Sequence, residues 1–150
     1  MRAVFKINFV RDVYGRFTKQ TPMVKAAVSR GLDMANVYLT GTKWVIFFEQ
    51  PWPPPKSESY RRWKIKKGYG NMTYQLTGET LHAMRGRKVA WNILEWGVID
   101  NARAAEKLRA NEAGEDNRIP RPFFTKILDT CRPHVAEIVR EEVRKVLLSV

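Results

Sequence analysis

The chain has very few of the residues that carry redox, metal or disulfide chemistry. A single cysteine, Cys131, in 150 residues excludes an internal disulfide, and with only His82 and His134 beside it the soft ligands are too few for a structural zinc site. Such cysteine usage suits the reducing cytoplasm. No apolar run reaches the ~18 residues that a membrane span needs, so no membrane partner is expected. The opening MRAVFKINFV alternates apolar and polar residues instead of forming the unbroken apolar block of a secretory signal. Acidic residues are also scarce, 15 against 27 Lys and Arg, for a net charge of +12. Low-complexity tracts are missing, which argues against wholesale disorder.

What is present is the composition of a folded globular protein, with 44% hydrophobic and 11% aromatic residues. A chain of this length fits one domain, residues 1–150, and can bury roughly 70% of the surface its unfolded form exposes. The positive charge is uneven. Residues 1–75 hold 14 Lys and Arg against 4 Asp and Glu, or +10, whereas residues 76–150 hold 13 against 11, or +2. An excess of that kind implies an anionic neighbour, either nucleic acid or the acidic surface of another protein.

Local signals divide the chain into elements. AVFKINFV, residues 3–10, sets Val4, Ile7 and Phe9 in rough period-two alternation and predicts a first strand. Thr21 as N-cap, Pro22 at the first helical position and Gly41 at C′ frame a helix over 22–39, with Val24, Ala27, Val28, Leu32, Ala35 and Leu39 on its buried face. KWVIFFE, residues 43–49, suits a short buried strand, although periodicity alone does not separate that from a helical turn. Pro53, Pro54 and Pro55 then make QPWPPPKS an extended arm over 50–56.

Ser57 caps a short basic helix closed by Gly68, the start of a helix-loop stretch over 57–75. Thr77 and Gly78 prepare a second short helix over 76–84. KVAWNIL, residues 88–94, shows strand alternation and leads to a bend at Gly97. A helix from Asp100 to about Ala113 ends at Gly114, with Ala104, Ala105 and Leu108 inward. Ile119-Pro120-Arg121-Pro122 predicts a stiff extended rod that hands Phe123 and Phe124 to the last helix at a set angle. That helix carries Ile127, Leu128, Cys131, Val135, Ile138, Val139, Val146 and Leu147 along one stripe, and Pro133 predicts a kink or a fresh start inside it. Glu141 and Lys145 are spaced to pair on its wet face.

No residue constellation points to catalysis. His82 and His134 are far apart in sequence and lie in no acid/base or nucleophile pattern, and Cys131 sits on an apolar stripe where a free cysteine acts as a small hydrophobe. No Gly-rich phosphate cradle follows a predicted strand. The expectation is a protein that is not an enzyme, with no metal and no cofactor. The strongest binding signal is YRRWKIKKGYG, where Arg61, Arg62, Lys64, Lys66 and Lys67 interleave with Tyr60, Trp63 and Tyr69 and could meet phosphates and stack bases. The same residues could contact protein, or be a solvated face with aromatic packing anchors.

Taken in order, WPPPKSESYRRWKIKKGYG, YQLTGETLHAM, AEKLRANEAG and IPRPFF resemble the landmarks of the phage virion-morphogenesis and tail-completion proteins of the head-tail joining region. Those proteins show a Pro/Ser-led basic helix, a leucine-threonine-glycine turn opening a short helix, a strand, an alanine-containing segment ending in glycine, and a proline-arginine-proline-phenylalanine lead-in to a C-terminal amphipathic helix. The matching positions are Pro55 to Lys67, Leu76 to Leu81, Ala105 to Gly114, Arg121 to Phe124 and the stretch to Val150, so the resemblance covers roughly residues 50–150. It implies a structural protein of the virion neck, assembled in the host cytoplasm as a ring of identical copies, a hexamer. Its neighbours would be neck and tail proteins and the DNA passing through the channel.

The expected architecture is α+β. A small, mostly antiparallel sheet from residues 3–10, 43–49 and 88–94 is packed by a long N-terminal helix and by a C-terminal amphipathic helix kinked near Pro133. Stiff arms with aromatic tips lose little freedom on docking. Trp52, Pro53, Pro54, Pro55, Arg121, Pro122, Phe123 and Phe124 are therefore the expected subunit interface, the alternative for the two phenylalanines being the chain's own core. Arg61, Arg62, Trp63, Lys64, Lys66 and Lys67 are the expected contact for an anionic partner or nucleic acid. A sequence-independent nucleic-acid-binding protein is the second reading of the whole chain.

Overall fold

A computed structural model describes residues 1–7, 21–49, 58–68, 79–115 and 120–149. Among them are three strands, β1 (Arg2–Lys6), β2 (Met84–Ala90) and β3 (Ile93–Val98). There are also five helices, α1 (Thr21–Glu49), α2 (Glu58–Lys66), α3 (Glu79–Ala83), α4 (Ala102–Ala113) and α5 (Phe123–Leu148). The sheet is antiparallel throughout, in the order β1-β3-β2, with Val4 opposite Glu95 and Arg87 opposite the same residue from the other side. The α+β expectation therefore holds, with the two long helices packed on the sheet.

Alternation sorts the sheet into two faces. Leu94, Trp96 and Val98 of the central strand point inward with Met84, and all four are buried. Arg2, Val4, Lys6, Arg85 and Arg87 are exposed. Gly97 shows why no other residue fits the centre. Its φ is 141°, and a Cβ there would lie 2.7 Å from the Met1 carbonyl oxygen. It is a strand position, where sequence predicts a bend.

α1 and α5 lie along each other, and α1 also crosses β2. Their seam holds Leu32, Ala35, Leu39, Ile127, Cys131, Val135 and Val139, all buried. The backbones come close at Gly31, where a Cβ would meet the Val139 Cα at 2.9 Å. Fully burying each large apolar side chain contributes about 1.5–3 kcal/mol.

Several expectations are corrected. Residues 43–49 are not a strand but the last two turns of α1, a helix of 29 residues. Gly41 does not end it, because its φ is not positive and the run beyond it buries Ile46 and Phe47 at helical spacing. Residues 88–94 are not one strand but both arms of a hairpin turning at Trp91 and Asn92, with an irregularity between Lys88 and Ala90. The turn contains no glycine and is tied to the end of β1, since Asn92 donates its Nδ2 to the Ile7 carbonyl at 3.0 Å and Ile7 N–H donates to the Asn92 carbonyl at 3.0 Å.

α5 shows no fresh start. It is one helix of 26 residues with Pro133 inside it, on the exposed side, while Cys131 and Val135 on either side stay packed on α1. Glu141 accepts from Arg144, and Lys145 donates to Glu142, so the expected Glu141–Lys145 pair gives way to two pairs at three-residue spacing. The predicted ends of α2 at Gly68 and of α4 at Gly114 are borne out, Gly114 taking the left-handed φ of 72°. Pro53, Pro54, Pro55, Ser57, Thr77 and Gly78 lie outside the described residues.

Candidate interaction surfaces

The stiff lead-in to α5 is built as a clamp. Pro122 has φ −74° and ψ 60°, and Phe123 N–H donates to the Arg121 carbonyl at 2.7 Å. That is an inverse γ-turn, so the predicted extended rod gives way to a tight corner at Pro122. The corner leaves the first N–H groups of α5 without helical partners and without a side-chain cap. Glu112, at the end of α4, supplies what is missing. One of its carboxylate oxygens accepts from Phe124 N–H, and the other accepts from Thr125 N–H at 3.3 Å and from Thr125 Oγ1 at 2.9 Å. Arg121 N–H closes the arrangement by donating to the Asn111 carbonyl at 2.7 Å.

The clamp drives both phenylalanines inward. Phe123 is 1% exposed and meets Phe47 edge to face at 6.0 Å, and Phe124 is 4% exposed and stacks on Trp96 at 6.0 Å. Arg121 is buried beside them, and only Pro122 of this group is exposed. The expected seam between subunits is thus corrected at Arg121, Phe123 and Phe124. Their burial belongs to the core of one chain. Trp52, Pro53, Pro54 and Pro55 lie outside the described residues.

α2 presents most of the expected cationic contact. Arg61, Arg62, Trp63, Lys66 and Lys67 are exposed, Tyr60 and Trp63 stack at 5.7 Å, and Arg62 pairs with Glu58 at 2.9 Å. Lys64 is the exception, only 2% exposed. Burial pushes its ammonium pKa down, and the nearby Arg121 charge pushes it the same way. Lys64 leaves the predicted anion-binding group for that reason.

A second charged surface is invisible in sequence because it draws on both outer strands of the sheet. On the outer sheet face Arg2 and Arg87 both pair with Glu95, at 3.3 and 3.0 Å, and Arg85 pairs with Asp100 at 2.6 Å. These carboxylates take up much of the arginine charge, so the face is a mixed ion-pair network and not a uniformly positive platform.

Lys43 is a buried cation that no local pattern marks, because the sequence places it at the start of a predicted strand. Its Nζ donates to the carbonyls of Leu81 at 2.8 Å and Met84 at 2.7 Å, 5.2 Å above the Trp44 ring. Burial pushes its pKa down. The lysine is a strut that ties α1 to the junction of α3 and β2, and two of its hydrogens are committed to that role. Cys131 is buried as expected, and burial pushes its thiol pKa up against an opposing hydrogen bond with Thr42. His82 packs near Trp44 and His134 near Tyr38, on α3 and α5 respectively. Among the described residues no three of His, Cys, Asp and Glu gather where they could hold a metal ion. Among the same residues no helix is long and apolar enough to cross a membrane.

The remaining large surface is the outer side of α1. Met34, Val37, Val45 and Phe48 are all exposed there, Val37 at 73% and Phe48 at 56%, with Gly41 between the valines. Compared with known protein families, curated proteins and solved structures, the chain matches none.

Proposed function

We propose that the chain is a structural protein of a tailed-bacteriophage virion that self-assembles into a ring at the head-tail joint, with neck and tail proteins as its neighbours. The observation that carries this reading is the order of the four landmarks, from WPPPKSESYRRWKIKKGYG through YQLTGETLHAM and AEKLRANEAG to IPRPFF. The fold is compatible with a role in binding rather than chemistry. The buried lysines, Lys43 and Lys64, and the buried Cys131 are packed into the structure, and the lead-in to α5 is spent on holding Phe123 and Phe124 in place. Its surfaces of interest are one apolar helix face and two charged faces. Negative-stain imaging of the purified protein, alone and mixed with isolated phage tails, tests the reading. Closed rings and decorated tail ends are expected, and bare tails with only small single particles would refute it.

A second reading, sequence-independent nucleic-acid binding, is favoured by one arrangement. Arg61, Arg62 and Lys66 on one short helix, with Lys67 in the turn that follows it, surround an exposed, stacked Tyr60–Trp63 pair. Binding to generic duplex DNA would then weaken steeply with salt, with a slope near 0.9 per phosphate neutralised. An Arg61→Ala, Arg62→Ala variant should flatten that slope by about two contacts. Binding that ignores salt, or is unchanged in the variant, counts against it.

A further inference from the structure

We propose that the outer face of α1 is the surface through which one copy of this chain meets the next, an inference that rests on the ring reading and locates one of its contacts. Successive residues on a helix are about 100° apart, so Met23, Ala26, Arg30, Met34, Val37, Gly41, Val45 and Phe48 share the side opposite the buried Leu32 and Leu39. That stripe runs for about 38 Å at 1.5 Å per residue. Arg30 is its one charged residue, and from Met34 to Phe48 the stripe has none. A helix that is apolar on both sides is ordinarily buried on both sides. The inner side is covered by α5 and the sheet, while on the outer side Met34, Val37, Val45 and Phe48 are exposed.

Three features select a second copy as what covers it. The first is charge. The chain carries a net +12, so bringing two copies together across most of its surface sets like charges against each other. The Met34–Phe48 stripe is free of that repulsion. An acidic partner of another kind would find its complement on α2, not on an uncharged helix face.

The second is shape. A Cβ at Gly41 would have nothing within 4 Å, so Gly41 is a notch between Val37 and Val45 that receives a side chain from a facing surface. The third is size. An apolar strip of this length covers a few hundred Å2, the scale of patch that marks interaction sites on isolated proteins. It supplies the apolar centre of a subunit contact of roughly 800 Å2 per side, with charged flanks as the rim.

The test is the mass of the assembly in solution. Sedimentation or light scattering is run on the wild type, on the double variant Val37→Glu, Val45→Glu, and on the control Val4→Glu, Val89→Glu. The control adds the same two charges on the outer strands of the sheet. The expected result is an oligomer for the wild type and the control, and particles of the single 17.5 kDa chain for the α1 variant, with the helical circular dichroism of all three alike. A trimmed variant, Val37→Ala, Val45→Ala, Phe48→Ala, guards against misfolding and should raise the dissociation constant at least tenfold. Oligomers that survive both α1 variants would overturn this contact while leaving the ring reading standing, and would assign the stripe to a different protein. Dissociation of the control as well would overturn it in favour of a general charge effect. A wild type that stays a single chain at all concentrations would overturn both.

Discussion

α1 and α5 are the two long helices of this protein and they pack on each other, yet they treat water differently. α5 turns Val135, Val139 and Val146 to the seam and sets Glu137, Arg140, Glu141, Arg144 and Lys145 on or beside its outer side. It is finished as a surface helix. α1 turns Leu32, Leu39 and Ile46 inward and then repeats apolar residues on the far side. The charges that α1 does carry lie mostly off that stripe, in Asp33 bound to Lys88 and Lys43 bound inside. The difference teaches that a helix can satisfy its own chain and still be incomplete as a surface. α5 needs nothing more, whereas α1 has a second face of the kind usually found buried.

The largest expected break in that comparison comes from cutting inner and outer residues of α1 in turn. Leu39→Ala, on the seam, should cost about 2–5 kcal/mol of unfolding free energy, and Val37→Ala, on the outer stripe, no more than about 0.5 kcal/mol in the isolated chain. Urea unfolding of both variants at low protein concentration measures the two values. Equal losses would mean that the outer stripe is already covered within one chain.

Glycine substitution gives a smaller and sharper contrast. Gly31→Ala pushes a methyl into the Val139 backbone and should destabilise by about 1–2 kcal/mol, overpacking outweighing the gain in helix propensity. Gly41→Ala meets nothing and should stabilise the single chain by up to about 1 kcal/mol. The same change on the same helix should therefore move the melting temperature in opposite directions. Glu112→Ala, which strips the borrowed cap from α5, should cost about 1–2 kcal/mol, and Glu112→Gln less. If Glu112→Ala melts like the wild type, the cap contributes nothing to α5.

The smallest effect concerns a carboxylate that bridges the two helices, Glu142. Glu142 accepts a hydrogen bond from Lys145 at 2.5 Å and faces Arg30 of α1 at 3.5 Å, and those partners hold its carboxyl below the usual carboxylate range. A carboxyl whose pKa is lowered on folding stabilises the fold above its ordinary range and loses that contribution as pH falls through the folded value. The melting difference between wild type and Glu142→Gln should accordingly be present at neutral pH and fade in acid. A difference that stays constant with pH would remove the charge from the explanation.

Parts of this fold were legible because the signals are local. Asn101 accepts from Ala104 N–H at 2.9 Å and Gly114 takes a left-handed turn, so both ends of α4 are written within a few residues of where they act. The stripe from Ile127 to Val146 marked the buried side of α5 in the same way. Gly41 shows how such a signal misleads. It stands where a helix-ending glycine would stand, but Phe47 beyond it finds Phe123 across the core, and that packing keeps the helix going. The charge run around Lys64 was legible as basic, yet its burial depends on neighbours remote in sequence.

The sequence by itself determined the mixed helix-and-sheet class of the fold and the ends of α2 and α4, though not the end of α1, because hydrogen bonding within a turn and apolar periodicity are settled by residues a few positions apart. Only the tertiary structure decided which surfaces are left over. Lys43 reaches carbonyls 38 and 41 residues away, and Glu112 caps a helix 12 residues on, so what is buried is fixed by contacts that no local pattern encodes. Phe123 and Phe124 went into the core by that rule. The outer side of α1, equally apolar, did not, because α5 and the sheet had already filled the space around its inner side.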